Sequence, residues 1–133
     1  MSHITDMRLK VRDTDALAEA APLAGLEFVL GQRTHRAYAG NGACEHALRV
    51  PGDSKAYEAG LVSVPDGDGY DILCDTWGPG RKTAARLDKL RQEYAVAVTL
   101  KAARAKLARQ GYTAAREDLP DGRVRVRLVR RGR

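Results

Sequence analysis

The chain is poor in the residues that usually announce chemistry. Of its 133 residues two are cysteines, Cys44 and Cys74, and three are histidines. Two cysteines form no disulfide framework, and in a reducing compartment both stay thiols. Aromatic residues make up 5%, with one Phe and one Trp, so the stacking platforms that read unpaired bases are scarce. No CxxC, HxxxH or GxSxG spacing occurs; GNGAC and GDGYD carry turn glycines, and WGPG is too short for a phosphate loop. No stretch approaches the roughly 18 to 20 apolar residues of a membrane span, and MSHITDMRLK lacks the apolar core of a secretion signal. The expectation is a cytoplasmic protein (host cytoplasm if phage-encoded) with no membrane association.

What is present suits a folded domain. Hydrophobic residues make up 44% and charged residues 30%, too apolar for disorder. The length matches one core, so residues 1–129 are read as a single domain and 130–133 as a basic C-terminal tail. MRLKVR alternates with period two, as does CEHALRV, which places Cys44, His46 and Leu48 on one strand face. DTDALAEAA reads as a helix capped by Asp13 or Thr14 and closed by Pro22 and Gly25. LEFVLG is a strand, and RTHRAYAGNGA an irregular strand reversing at Asn41 and Gly42. AYEAGLVSV and YDILCDTW flank PDGDG as a hairpin. A long helix follows from Thr83 or Leu87 to Gln110, carrying apolar residues at threes and fours and ending at Gly111. YTAARED and RVRVRLV close the chain as a second hairpin. The expected fold is α+β: a largely antiparallel sheet with two helices on one face. Its order, β-α-β-β on either side of a linking strand, is compatible with a pseudo-duplication.

Charge is divided along the chain. Residues 1–80 hold seven basic side chains against twelve acidic, a balance of −5; residues 81–133 hold sixteen against five, a balance of +11. Such asymmetry points to a polyanion partner or to pairing of unlike surfaces between copies. In RVRVRLVRRGR, alternation sets Arg123, Arg125 and Arg127 on one face, with Arg130, Arg131 and Arg133 extending the row as a tail. With Lys101, Arg104, Lys106 and Arg109 on the helix, these residues are the candidate anion-binding set, since guanidinium forks bind phosphate oxygens in pairs. The bland alternative is a wet strand edge protected from aggregation.

Weaker constellations also exist. Cys44, His46 and Cys74 approach a zinc set in residue type but not in spacing, so no metal or other cofactor is expected. His3 and Ile4 are read as starting the first strand. Asp71, Asp75, Glu45 and Glu58, near Trp77 and Tyr94, are carboxylates for acid-base work only if burial raises one of them.

MSHI, CEHALRVPG, YEAGLV, YDILCDTWG and LRQEYAV with ARQGY together resemble the domain-of-unknown-function family 1257, small proteins of bacteria, phages and chloroplast genomes. The resemblance covers nearly the whole chain. It implies no activity; some members are encoded beside AAA-type ATPases, which implies such a partner. The segment after Trp77 is shorter here than in many relatives, which carry a Gly-rich insertion.

The leading expectation is therefore a non-enzymatic binding module for an anionic partner: nucleic acid, a nucleotide-like ligand or an acidic protein surface. The alternatives are an assembly protein forming a homo-oligomer through its acidic and basic halves, and a metalloprotein or enzyme around Cys44, His46, Asp75 and Trp77.

Overall fold

A computed structural model describes residues 4–7, 9–38 and 40–130, with the backbone alone for Ile4 and Thr5. His3, Arg131 and Arg133 lie outside the described residues. The elements are β1 (Ile4–Asp6), α1 (Thr14–Leu23), β2 (Glu27–Val29), β3 (Thr34–Ala37), β4 (Gly40–Ala43), β5 (His46–Arg49), β6 (Ala59–Ser63), β7 (Tyr70–Asp75), α2 (Gly80–Leu107), a 3-10 turn (Ala108–Gln110), β8 (Tyr112–Asp118) and β9 (Val124–Arg130).

Five strands form an antiparallel sheet in the order β1-β7-β6-β5-β2. One of its faces presents Leu48, Ala59, Leu61, Ile72 and Cys74, and α1 and α2 cover it with Ala16, Leu17, Ala20, Ala21, Leu87, Leu90, Tyr94 and Ala97. The α+β architecture read from the sequence, with two helices over an antiparallel sheet, is the one observed. Strands β3–β4 and β8–β9 each form a separate two-stranded ladder. The second β-α-β-β segment thus ends on its own ladder, whereas β2 of the first joins the main sheet.

Local chemistry explains the boundaries. Asp13 is extended (φ −127°) and its carboxylate accepts the Ala16 N–H at 3.0 Å, so α1 starts where a side chain replaces the missing helical acceptor. Helix α2 opens at Gly80, earlier than the apolar spacing suggests, and only glycine fits at that position, since a side chain there would overlap the Asp75 carbonyl. MRLKVR is not one continuous strand. β1 covers Ile4–Asp6, after which Met7 N–H donates to Ile72 and Val11 bridges Tyr70. The β3–β4 reversal falls after Ala37, so that Asn41 and Gly42 pair within β4.

Helix α2 has 28 residues, about 42 Å at 1.5 Å per residue, longer than the sheet face it covers. Its first half packs on the sheet through Leu87, Leu90 and Tyr94. A second stripe carries Glu93 and Val96, both buried, and continues through Leu100, Ala103 and Leu107 toward the β8–β9 hairpin. The hairpin returns Ala114, buried, and Arg116 to that stripe; Arg116 forks onto Glu93, one arm at 2.9 Å.

Candidate anion-binding surface

The geometry of the basic half separates residues that the sequence groups together. Cross-strand pairs Arg116↔Val126 and Ala114↔Leu128 put Val126 and Leu128 on the face toward α2, which leaves Arg125 and Arg127 side by side on the outer face of β9, with Arg123 one residue before the strand. The row exists, but its charge is largely met. Arg123 pairs with Asp121 at 2.7 Å, and Arg125 and Arg127 share Glu117 at 3.5 and 3.8 Å. Three cations against two carboxylates leave a local balance of +1. These exposed pairs are weak, on the order of 0–1 kcal/mol, so they lower the field of the row without locking it.

Lys101 points the other way. Its ammonium donates to Asp13 at 2.9 Å and faces Asp15 and Glu19 on α1. Those carboxylates hold the Lys101 ammonium above its usual range, and Lys101, followed by the Ala16 N–H, holds Asp13 below its own. Arg104 lines the same seam with Asp15 and Glu19. The acidic and basic halves therefore meet inside one molecule at this place.

What remains is a corner. Lys106 in the last turn of α2, Arg109 in the 3-10 turn and Arg130 at the end of β9 are all exposed. Among the described residues none of the three pairs with a carboxylate. Gly111, at φ +80°, reverses the chain, and Tyr112 then pairs with Arg130 across the hairpin. Three cations thus have no carboxylate partner among the described residues, and one of them, Arg130, stands opposite the half-buried Tyr112 across the ladder. Arg130 is thus the last residue of β9, a correction to its reading as the start of a tail, and strand parity turns it away from the Arg123 row.

The soft ligands are not brought together. Cys44 sits at the kink before β5 and packs beside Gly60 on the face away from the helices, whereas Cys74 lies among the helix-facing core residues. His46 shares the helix-facing side, edge-on to Phe28 and Tyr70, and its Nδ1 accepts the Gly31 N–H at 2.8 Å. The kink therefore breaks the single face expected for Cys44, His46 and Leu48. Among the described residues no group of three metal-type ligands forms. Burial pushes the Cys44 thiol up, and that of Cys74 up to about 12, the opposite of an activated nucleophile.

The buried carboxylates hold structure. Glu58 accepts the Arg36 N–H at 2.9 Å and the Gln32 amide at 3.1 Å, fastening β3 to the sheet. Asp75 accepts the N–H groups of Tyr38 and Trp77, each at 3.2 Å, and so fixes two exposed aromatic residues. Glu45 accepts Ser63, and Asp71 stands opposite Val62.

Sequence reasoning missed one concavity. A groove of about 450 Å³ runs between the chain at residues 9–13 and α2, lined by Leu9, Lys10, Arg12, Arg91, Tyr94 and Val98, among others. The period-two placing of Lys10 and Arg12 around Leu9 and Val11 was its only sequence signal. No family model, curated protein or solved structure matches this chain.

Proposed function

We propose that the protein is a non-enzymatic binding module for an anionic partner, engaged first through the corner of Lys106, Arg109 and Arg130. The observation that supports this reading is charge accounting. The Arg123 row carries its own carboxylates and Lys101 is drawn to Asp13, while the corner holds three cations with none. Basic residues at a helix C-terminus also complement the helix dipole, but that accounts for Lys106 and Arg109 and not for Arg130, which arrives from another strand. Nucleic acid is the partner class favoured, since the half-buried Tyr112 ring lies beside Arg130 and supplies one aromatic surface to the phosphate-binding groups.

The test is fluorescence anisotropy with a labelled single-stranded oligonucleotide across a salt series. Three phosphate contacts predict a slope of log affinity against log salt of about −2. Replacing Lys106, Arg109 and Arg130 by Gln flattens that slope. A wild-type protein whose binding ignores salt, or an effect confined to Gln substitutions at Arg123, Arg125 and Arg127, overturns the assignment.

The second reading, assembly, rests on β9 itself. Its outer edge pairs with no described strand, and Leu128 and Val129 are exposed beside it, 51% and 44% respectively. Such an edge suits addition of a strand from another copy. Sedimentation in low and high salt separates the two readings, because an oligomer joined by strand addition at β9 persists as salt rises, whereas anion binding at the corner weakens. Resemblance to family 1257, with its AAA-type ATPase partner, stays a proposal beside both.

A further inference from the structure

The groove between residues 9–13 and α2 is distinct from the basic corner, and its chemistry is of two kinds. Leu9, Tyr94, Ala95 and Val98 give it apolar walls, while Lys10, Arg12 and Arg91 bring three cations to its rim against one carboxylate, Asp13. That carboxylate is already committed, one oxygen to the Ala16 N–H and the other to Lys101. Arg12 pairs with Asp68 outside the groove at 2.9 Å, and Arg91 is steadied by a hydrogen bond to the Met7 carbonyl. Lys10 is exposed and pairs with no carboxylate among the described residues.

Tyr94 adds a polar group to this apolar lining. Its hydroxyl accepts the N–H groups of Arg12 at 3.0 Å and Asp13 at 3.1 Å. A phenol oxygen with both lone pairs engaged keeps only its proton to offer. The groove therefore presents hydrogen-bond donors and cations over apolar walls. A volume of about 450 Å³ is in the range of small-molecule sites.

We propose that this groove binds a small amphiphilic anion: a carboxylate on an apolar body of about ten carbons, head toward Lys10 and Arg91, chain along Leu9, Ala95 and Val98. The proposal goes beyond the anionic-partner reading, since it involves different residues and a ligand of another class.

Sodium decanoate is the probe, titrated below its micellar range into the full-length protein and followed by amide chemical shifts. Saturable shifts centred on Leu9, Ala95 and Val98 are expected. Lys10→Gln should weaken decanoate at least about threefold, and Lys10→Gln with Arg91→Gln about tenfold or more. Val98→Asp, which places a like charge on the wall, should abolish binding while the thermal midpoint holds. Decanol should bind more weakly and decylamine not at all. The proposal is overturned by decylamine binding as well as decanoate, by shifts elsewhere or none, or by equal loss on replacing Lys106, Arg109 and Arg130. Loss of oligonucleotide binding in that corner variant with decanoate binding intact supports both readings, and the reverse pattern in the groove variants separates them.

Discussion

Lys101 and Asp13 are joined at 2.9 Å, and the second oxygen of the same carboxylate caps α1 through Ala16. One aspartate thus ends the run of unsatisfied N–H groups at the start of α1 and anchors the far half of α2. The two charge-biased halves of the sequence are in part reconciled within one molecule. That is why the net positive field must be sought where α2 has passed beyond α1, at Lys106 and Arg109.

This pairing predicts a pH dependence at both ends of the scale. Asp13 is held below its ordinary 3.8, first by Lys101 and then by Ala16, so its contribution is complete above that value and is lost as pH falls through the lower folded value. Lys101 is held above 10.5, so its share is complete below that value and is lost as pH rises through the higher folded one. Thermal midpoints of wild type and Lys101→Met should therefore differ most near neutrality and converge at both extremes. A gap that stays constant from about pH 7 to about pH 2 would show that the ion pair contributes nothing.

Gly60 and His35 form a lock between β6 and β3. A Cβ on Gly60 would lie 2.5 Å from His35 Cδ2 and 2.9 Å from Cys44 Cβ, and His35 is 2% exposed, so the ring has nowhere to move. Gly60→Ala should cost about 1–3 kcal/mol by overpacking. In a His35→Ala background the cost should fall by more than half, since the ring is the main obstacle. Denaturation across the four-member cycle measures the coupling, and strict additivity would mean that the glycine answers to the backbone alone.

How far the fold was readable from the sequence depended on which interactions set each element. Local periodicity placed α1, both arms of the β6–β7 hairpin, the second half of α2 and its stop at Gly111. The first turn of α2 or more escaped because it carries no apolar spacing, and Gly80 is required there for a tertiary reason, the close approach of the Asp75 carbonyl. The common face of Cys44 and His46 failed for a similar cause: Cys44 N–H is drawn to Arg33 of the preceding segment at 2.9 Å, and the strand kinks there. Alternation places Arg125 and Arg127 on one face of β9, but no spacing rule tells that Glu117 meets both of them or that Lys101 meets a carboxylate 88 residues away. Charge counted along a chain ignores who sits opposite.

The two thiols should behave as core atoms. Cys44 donates to the Gln32 carbonyl at 3.3 Å, and Cys74 is fully buried with its thiol pushed up to about 12 by desolvation. Native protein at about pH 8 should resist a maleimide or disulfide reagent at Cys74 until global unfolding, and Cys44 should react only slowly. Rapid labelling of Cys74 under native conditions would place it outside the core described here.

The β8–β9 hairpin should depend on one ion pair more than on its apolar contacts. Glu93 is 3% exposed and accepts both arms of the Arg116 guanidinium, while Leu128 and Val129 on β9 remain half exposed. Arg116→Ala strands the Glu93 carboxylate in the interface. The expected cost is about 2–3 kcal/mol, below that of a wholly buried pair because the Arg116 side chain keeps 26% of its exposure. Amide exchange should quicken through Tyr112–Asp118 and Val124–Arg130 and stay unchanged in β6 and β7, because the hairpin has its own ladder and can part from α2 without opening the main sheet. The double replacement Glu93→Leu with Arg116→Met should restore most of the protection, since two matched apolar side chains leave no unpaired charge. Faster exchange across the five-stranded sheet in Arg116→Ala would instead make the hairpin an integral part of the cooperative core, and with it the corner of Lys106, Arg109 and Arg130.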